Sequence, residues 1–306
     1  MASSMIAARA LWAGLTPTQR GLTLMLCATV SSTSMNAGIH HLATELHPFA
    51  IAFFRNLLSA LMMSTILLHA GLAPLRTTKI GLHALRGALN VGAMLMFIMA
   101  LAIEPLARVT ALSFTSPLFA TVAAWLILGE SMRTSRVIGL ITGLLGACII
   151  LRPGFDAVSM GSLYVIGSCA IWAFALVDIK HLTKTESTIT ITLYAMLLQT
   201  PMALLPALFV WSWPTVEQWI WLCAIAAFGL GGQVCLSAAF READATAVMP
   251  VDFTKLIWAS VLGFALFGEI PDLWSWVGGV IVFGSVLFVA LRDHRARKAP
   301  APAPAR

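Results

Sequence analysis

One long block of this chain occurs twice. Ala107 to Arg152 reads as an apolar helix, then Gly129-Glu130 with two arginines close behind, then a second apolar helix. The same order returns from Ala245 to Arg292, with Gly268-Glu269 in the place of Gly129-Glu130 and Gly278 in the place of Gly139, at one fixed separation. Neither apolar stretch of the first block carries a charge in its middle, and each has about the 20 residues needed to cross a hydrocarbon core. An internal repeat limits the fold before any single residue does, because each copy must form the same unit.

Composition says which solvent those units meet. Only 10% of the 306 residues are charged and 59% are hydrophobic, with a mean hydropathy of +0.89. A water-soluble domain carries about a quarter charged residues, so the copies are built for a lipid bilayer. The net charge of +6 does not indicate nucleic acid as a partner. The basic residues sit in short loops between apolar runs, where they orient a membrane protein, and form no groove-binding patch. Cys27, Cys148, Cys169, Cys223 and Cys235 lie in apolar stretches with no CxxC spacing. They read as small buried hydrophobes, neither a disulfide frame nor a metal site. No cofactor is expected.

Ten apolar segments follow an N-terminal segment at 1–19, at 20–42, 48–70, 80–103, 107–128, 134–151, 159–180, 188–211, 217–240, 245–267 and 274–291. The run after Arg20 completes the repeat, so it reads as a span and not as a cleaved signal. Ile39-His40-His41-Leu42 aligns with Ile179-Lys180-His181-Leu182, and Leu57-Leu58 with Leu197-Leu198, so the repeat covers the chain. The first copy takes 20–152 and the second 159–291. The tail at 292–306 is basic, then Ala-Pro, and is expected to be disordered. Loops on one side hold most of the lysines and arginines, among them Arg20, Arg76, Lys79, Arg133 and Arg136; the other side holds only Arg108 and Arg152. That bias puts both termini in the cytoplasm. Five helices per copy invert the second copy relative to the first. The expected fold is an all-α polytopic membrane protein, with ten transmembrane helices as two inverted five-helix repeats. Such repeats characterise alternating-access carriers, which bind solute near the midplane.

Several short pieces, in order, resemble the EamA-like branch of the drug/metabolite transporter superfamily. They are Phe54-Arg55-Asn56-Leu57-Leu58, Leu85-Arg86-Gly87, Ala100-Leu101, Ala111-Leu112-Ser113 with Pro117-Leu118-Phe119, and the two Gly-Glu pairs. The second copy is looser, with Lys255-Leu256 where the first has Ser116-Pro117 and Ala195 where it has Arg55. The resemblance implies a single-chain carrier of a small organic solute in the bacterial inner (plasma) membrane, multi-pass, with a slight lean toward export. It names a class and not a cargo. Import or facilitation on the same fold is the alternative, and the carrier is expected as a monomer or homodimer.

Polar groups in hydrocarbon cost a few kcal/mol each and normally face a cavity or a partner. On that ground Asn36, Arg55, Asn90, Trp172, Gln199, Gln233, Lys255 and Trp258 are the candidate substrate-binding residues. Arg55 offers a bidentate fork to a carboxylate or phosphate, against a structural role on backbone carbonyls. Ser31, Ser32, Thr33 and Ser34 serve either a cavity or close helix packing. Asp252 and Lys255, three apart, share a helix face near mid-membrane. They read either as a structural salt bridge or as a proton or substrate switch, with Asp252 as the coupling acid and protons as the coupling ion. Asp178, beside Lys180, reads as a solvated pair at a helix end. Arg86 snorkels, and Glu130 and Glu269 act as gates or structural caps. His40, His41 and His47 read as interface residues, since adjacent histidines cannot share one helical face and no metal set is completed.

Other function classes lack their parts. An intramembrane enzyme needs a His with a carboxylate, or paired acids, at one depth. A receptor would bring an extramembrane domain, and an ATP-driven pump a GxxxxGK[ST] loop. The sequence predicts no enzyme but a secondary carrier, driven by a proton gradient or by exchange, for an amino acid, organic acid or similar metabolite. Arg55, Arg86 and Lys255 against Asp252 favour an anionic group on the cargo, and Trp172 and Trp258 admit an aromatic one.

Overall fold

The computed structural model describes residues 14–70, 77–129, 134–152, 158–182, 185–186, 188–243 and 245–298. Among these the regular structure is entirely helical. The helices are α1 (Pro17–Leu42), α2 (Pro48–Ala70), α3 (Ile80–Ile103), α4 (Leu106–Ser113), α5 (Ser116–Leu128) and α6 (Thr134–Leu151). They continue as α7 (Met160–Leu182), α8 (Thr188–Leu208), α9 (Val216–Glu242), α10 (Ala245–Asp252), α11 (Thr254–Phe267) and α12 (Leu273–Lys298).

Local chemistry marks the ends. The Thr16 hydroxyl caps α1 by accepting from Gln19 N, while the Gln19 side chain accepts from Thr16 N, with Pro17 in the first turn. Thr215 and Gln218 form the same reciprocal cap on α9. Each pair satisfies amide donors that a helix start leaves unpaired. Gly129 and Gly268 close α5 and α11 with φ of 64° and 68°, a left-handed turn that side chains with a Cβ resist.

Eight helical stretches are long and apolar enough to cross a membrane, with α4–α5 and the stretch from Pro250 through α11 each counting as one. The described apolar parts of α2 and α8, Pro48–Met62 and Leu197–Leu208, are shorter. Large apolar side chains such as Ile141, Leu144, Leu145, Leu205 and Phe264 stand exposed on the helices' outer faces. In water so much apolar surface would drive aggregation; in hydrocarbon it is the expected exterior. The protein is a multi-pass membrane protein.

Four expectations need correction. The stretch 107–128 is not one helix. It breaks at Phe114-Thr115, where Phe114 N and Thr115 N turn back to Ala111 O and Leu112 O. Pro117, which has no N–H and would clash with the carbonyl four residues back, restarts the helix as α5. The stretch 245–267 breaks likewise at Phe253, three residues after Pro250. The first part of the tail, Arg292 to Lys298, continues α12 as helix, since it contains no Gly or Pro to stop it, while 299–306 lie outside the described residues. The cysteines are not uniformly buried: Cys169 is, but Cys27, Cys148 and Cys223 are exposed on the apolar exterior.

Each principal helix packs chiefly against a helix of the other half. α1 lies on α9, α3 on α7, α2 on α8, and α6 on α12. Glycines allow close approach in two of these pairs. On α1–α9, a Cβ at Gly38 would lie 2.9 Å from Ile225 Cγ1. On α6–α12, a Cβ at Gly278 would lie 2.5 Å from the Gly146 carbonyl. With lipid tails as apolar as leucine, such close backbone contact is a main source of helix association. The hydroxyls of α1 serve that purpose too: Ser31 donates to the Phe228 carbonyl at 2.8 Å, and Thr29 meets Thr254 at 2.9 Å.

Candidate functional site

One end of the bundle, where α1, α3, α9 and α11 meet their connecting segments, is tied shut. Glu269, just past α11, accepts from Leu106 N at 3.0 Å and faces His40 Nε2 at 3.2 Å. His40 Nδ1 in turn bonds the Leu101 carbonyl. Around this tie, Gln218 donates to Glu45 at 3.2 Å, Ser159 donates to Glu104, and Arg108 reaches Glu104 and Asp272. Beneath lies an aromatic and apolar plug including Phe53, Phe54, Trp211, Trp219 and Phe267. Burial works against ionisation of Glu269, but hydrogen bonds from His40 and the Leu106 amide outweigh it and hold the carboxyl below its ordinary value. His40 is therefore no bare interface residue. Its partners come from segments distant in sequence, so its helical position alone could not reveal them.

Deeper in the bundle, two cavities meet at Arg55. The larger, about 380 Å³, is lined by Arg55, Asn56, Ser59, Arg86, Gln199 and Gln233, with Met35 and Thr200 among its walls. The smaller, about 260 Å³, is lined by Arg55, Asn90, Phe97, Trp172, Ser113, Ser116 and Ser168. One is a compartment of amides and guanidinium groups; the other has an aromatic wall and hydroxyls. The Arg55 guanidinium gives Nη2 to Met94 Sδ at 3.0 Å and approaches Met35 Sδ at 4.0 Å. Thioether sulfur is a weak acceptor. Among the described residues no carboxylate pairs with Arg55, so this buried cation keeps most of its hydrogen-bonding capacity. Asn56 Nδ2 and Asn90 Oδ1 are likewise buried without partners. Unsatisfied buried polar atoms are few in a folded protein, and their presence in the walls of both cavities points to a ligand.

Of the residues singled out from sequence, the structure brings Arg55, Asn90, Trp172, Gln199, Gln233 and Arg86 to these cavities. Arg86 does more than snorkel, since its Nη1 donates to the Ile191 carbonyl at 2.7 Å. Asn36, Asp252, Lys255 and Trp258 are not among the lining residues. Lys255 Nζ lies 2.6 Å from Asp252 Oδ1, and both side chains are about a third exposed. The pair straddles the break at Phe253 and does not sit on one continuous helix. Asp252 is also not the best-buried acid, because Asp178 is buried by the packing of α3 on α7. Glu130 lies outside the described residues. Among those described, no cluster of His, Cys, Asp or Glu could hold a metal.

Sequence reading missed Ser59, Ser113, Ser116, Ser168 and the sulfurs of Met35 and Met94. Ser113 and Ser116 bracket the α4–α5 break. Hydroxyls flanking a proline restart are a signal that could have placed them.

Comparison with known proteins agrees with this architecture. The EamA-like transporter family model matches twice, at residues 19–152 and 159–291. A riboflavin transporter of Brucella anthropi is 33% identical over 79% of this chain and 88% of its own. An S-adenosylmethionine uptake transporter of Rickettsia bellii is 29% identical over 90% and 95%. A pseudopaline exporter of Pseudomonas aeruginosa is 28% identical over 86% and 93%. A solved crystal structure, 18% identical, superposes with a TM-score of 0.59 over 91% of this chain and 99% of that one, a likeness of fold alone.

Proposed function

The chain belongs to the EamA-like transporter family, and from that premise we propose a secondary carrier of ten spans in two inverted five-helix halves. It moves a flat heteroaromatic metabolite with a polar chain across the bacterial inner membrane, both termini cytoplasmic. What carries the reading is the junction at Arg55, where an amide-lined compartment meets one with an aromatic wall. Riboflavin and S-adenosylmethionine, the cargoes named for two relatives, each join a flat nitrogen heterocycle to a hydroxyl-bearing sugar unit, an open ribityl chain in one and a ribose ring in the other. In this protein the ring would lie against Trp172 and Phe97, and the polar chain would meet Gln199, Gln233 and Asn56. Arg55 would bond whatever electronegative group falls between.

Ten spans follow if α2 and α8 cross with the eight long stretches. The inverted relation is supported by breaks and glycine caps at equivalent places in the two copies and by the exchange of α1–α9 with α3–α7. The tie of His40 and Glu269 would then be the external gate, shut here. The Asp252–Lys255 pair would latch the hinge at Phe253.

A second reading has its own observation. Arg55 and Arg86 line one cavity without an acid among its lining residues, which suits an amino acid or organic acid. The two readings separate by thermal-shift titration of the detergent-purified protein with riboflavin, S-adenosylmethionine, amino acids and dicarboxylates. A ligand that binds only the folded state raises the melting temperature by mass action. A concentration-dependent shift with riboflavin, lost in Arg55→Ala, supports the first reading. Shifts with carboxylates alone support the second. Neither shift, together with no labelled riboflavin exchange in proteoliposomes, would sink the cargo assignment.

A further inference from the structure

Away from the tied end, where α3 packs on α7, stands a group of titratable side chains, one of which, Arg86, lines the larger cavity. Asp178, near the end of α7, is 7% exposed, and its Oδ2 is buried with no hydrogen-bond partner. His83, in the first turn of α3, is fully buried with neither ring nitrogen hydrogen-bonded. Its ring stacks on Tyr194 at 4.7 Å. Arg86, one turn further on, lines the cavity and leaves its Nε unpartnered. α3 and α7 run antiparallel in contact, with Gly161 against Ile103, Gly167 against Met96 and Gly92 against Ile171, and this register sets Asp178 opposite Arg86 without a direct ion pair, with His83 one turn away on α3 and His181 on its own helix. The other helices packed on α7 here, α4 and α5, bring no titratable group to this end.

A carboxylate so placed has two stable conditions: ionised beside a guanidinium, or neutral with a proton of its own. We propose that Asp178 is the proton-binding site of this carrier, and that proton and solute act on one guanidinium, that of Arg86. With Asp178 ionised, the field of its carboxylate holds the Arg86 charge. When a proton from the adjoining water forms an O–H bond on Asp178, that hold ends, and Arg86 turns to an electronegative group of the solute in the cavity. Losing the proton to water on the opposite side restores that field and displaces the solute. No electrons move, and one proton is taken up and one released per cycle. Proton and solute therefore travel together, and an inward proton gradient drives uptake. This rests on the carrier reading above, and on Asp178 in place of the exposed Asp252.

The test needs no known cargo. Full-length protein in lipid, with no solute, is titrated by pH-difference infrared spectroscopy. Acidification is expected to raise the carbonyl stretch of a protonated carboxylic acid, absent in Asp178→Asn and kept in Asp252→Asn. Should Asp178→Asn fail to fold, Asp178→Glu must shift the band. A band unchanged in both Asp178 variants, or no such band in the wild type, overturns the proposal. In proteoliposomes, an inward pH gradient should accumulate riboflavin in the wild type and not in Asp178→Asn. An equal response in both refutes the coupling. No riboflavin flux in the wild type counts against the cargo alone, and the infrared result still decides Asp178.

Discussion

Replacing Glu269 by Ala tests the closed end of the bundle most directly. The side chain accepts the Leu106 amide at 3.0 Å and faces His40 Nε2 at 3.2 Å, so one truncation unties α11 from both α1 and the start of α4. Leu106 is fully buried, and its amide would be left without a protein acceptor. A hydrogen bond to a charged group is worth about 1.5–3 kcal/mol net. The pair with His40 adds less than its Coulomb energy, because withdrawing the two groups from water offsets part of it. We expect a loss of about 2–3 kcal/mol for Glu269→Ala, which for a chain of this size lowers the melting temperature by about 4–10 °C. Glu269→Gln keeps an acceptor for Leu106 and should lose roughly half as much. The sign with pH follows from the Glu269 carboxyl, held below its ordinary value of 4.5. Its contribution is fully present above that value and fades as pH falls through the lower, folded one. Differential scanning fluorimetry in detergent, across pH, measures both effects. A melting temperature for Glu269→Ala equal to wild type at neutral pH would refute the tie, as would strict additivity with His40→Phe in a double-mutant cycle.

Three further outcomes are expected. Arg55→Lys should raise the KM for the transported solute by about tenfold or more, because a single ammonium does not replace the guanidinium fork; melting temperature should barely move, since the native partners are thioethers. Gly278→Leu should destabilise by about 1–3 kcal/mol, because a Cβ there meets the Gly146 carbonyl at 2.5 Å and α6 must move from α12; normal stability would show that the helices separate freely. Thr215→Ala removes the cap of α9 and should cost about 1 kcal/mol, read as a lower melting temperature.

Hydropathy made the helices legible, and the repeat marked the two copies, because both are periodic properties of the chain. Depth along a helix singled out Arg55, Asn90, Gln199 and Gln233, which line the two cavities, since an intrinsically polar group in an apolar run must face something. The same method misplaced Asp178. It treats a helix end as solvated, whereas the burial of Asp178 comes from α3, far away in sequence. His40 was misread for a similar reason, because its partners arrive from another helix and from the second half. The breaks at Phe114 and Phe253 were foreshadowed by Pro117 and Pro250. A proline within an apolar run reads as a tolerated kink until the hydrogen bonds around it are seen.

The exchange of principal contacts between halves bears on how the chain is assembled. With α1 on α9, α2 on α8, α3 on α7 and α6 on α12, the first half enters the bilayer before most of its neighbours have been synthesised. Until α9 arrives, the hydroxyl and glycine face of α1 has only lipid beside it, and the groove at Gly146 waits for α12. The halves are thus interlocked and not docked, and neither is a folding unit alone. A chain severed between residues 152 and 158 would have to be reunited from both pieces in one membrane, and a truncation before α12 would leave α6 exposed to quality control.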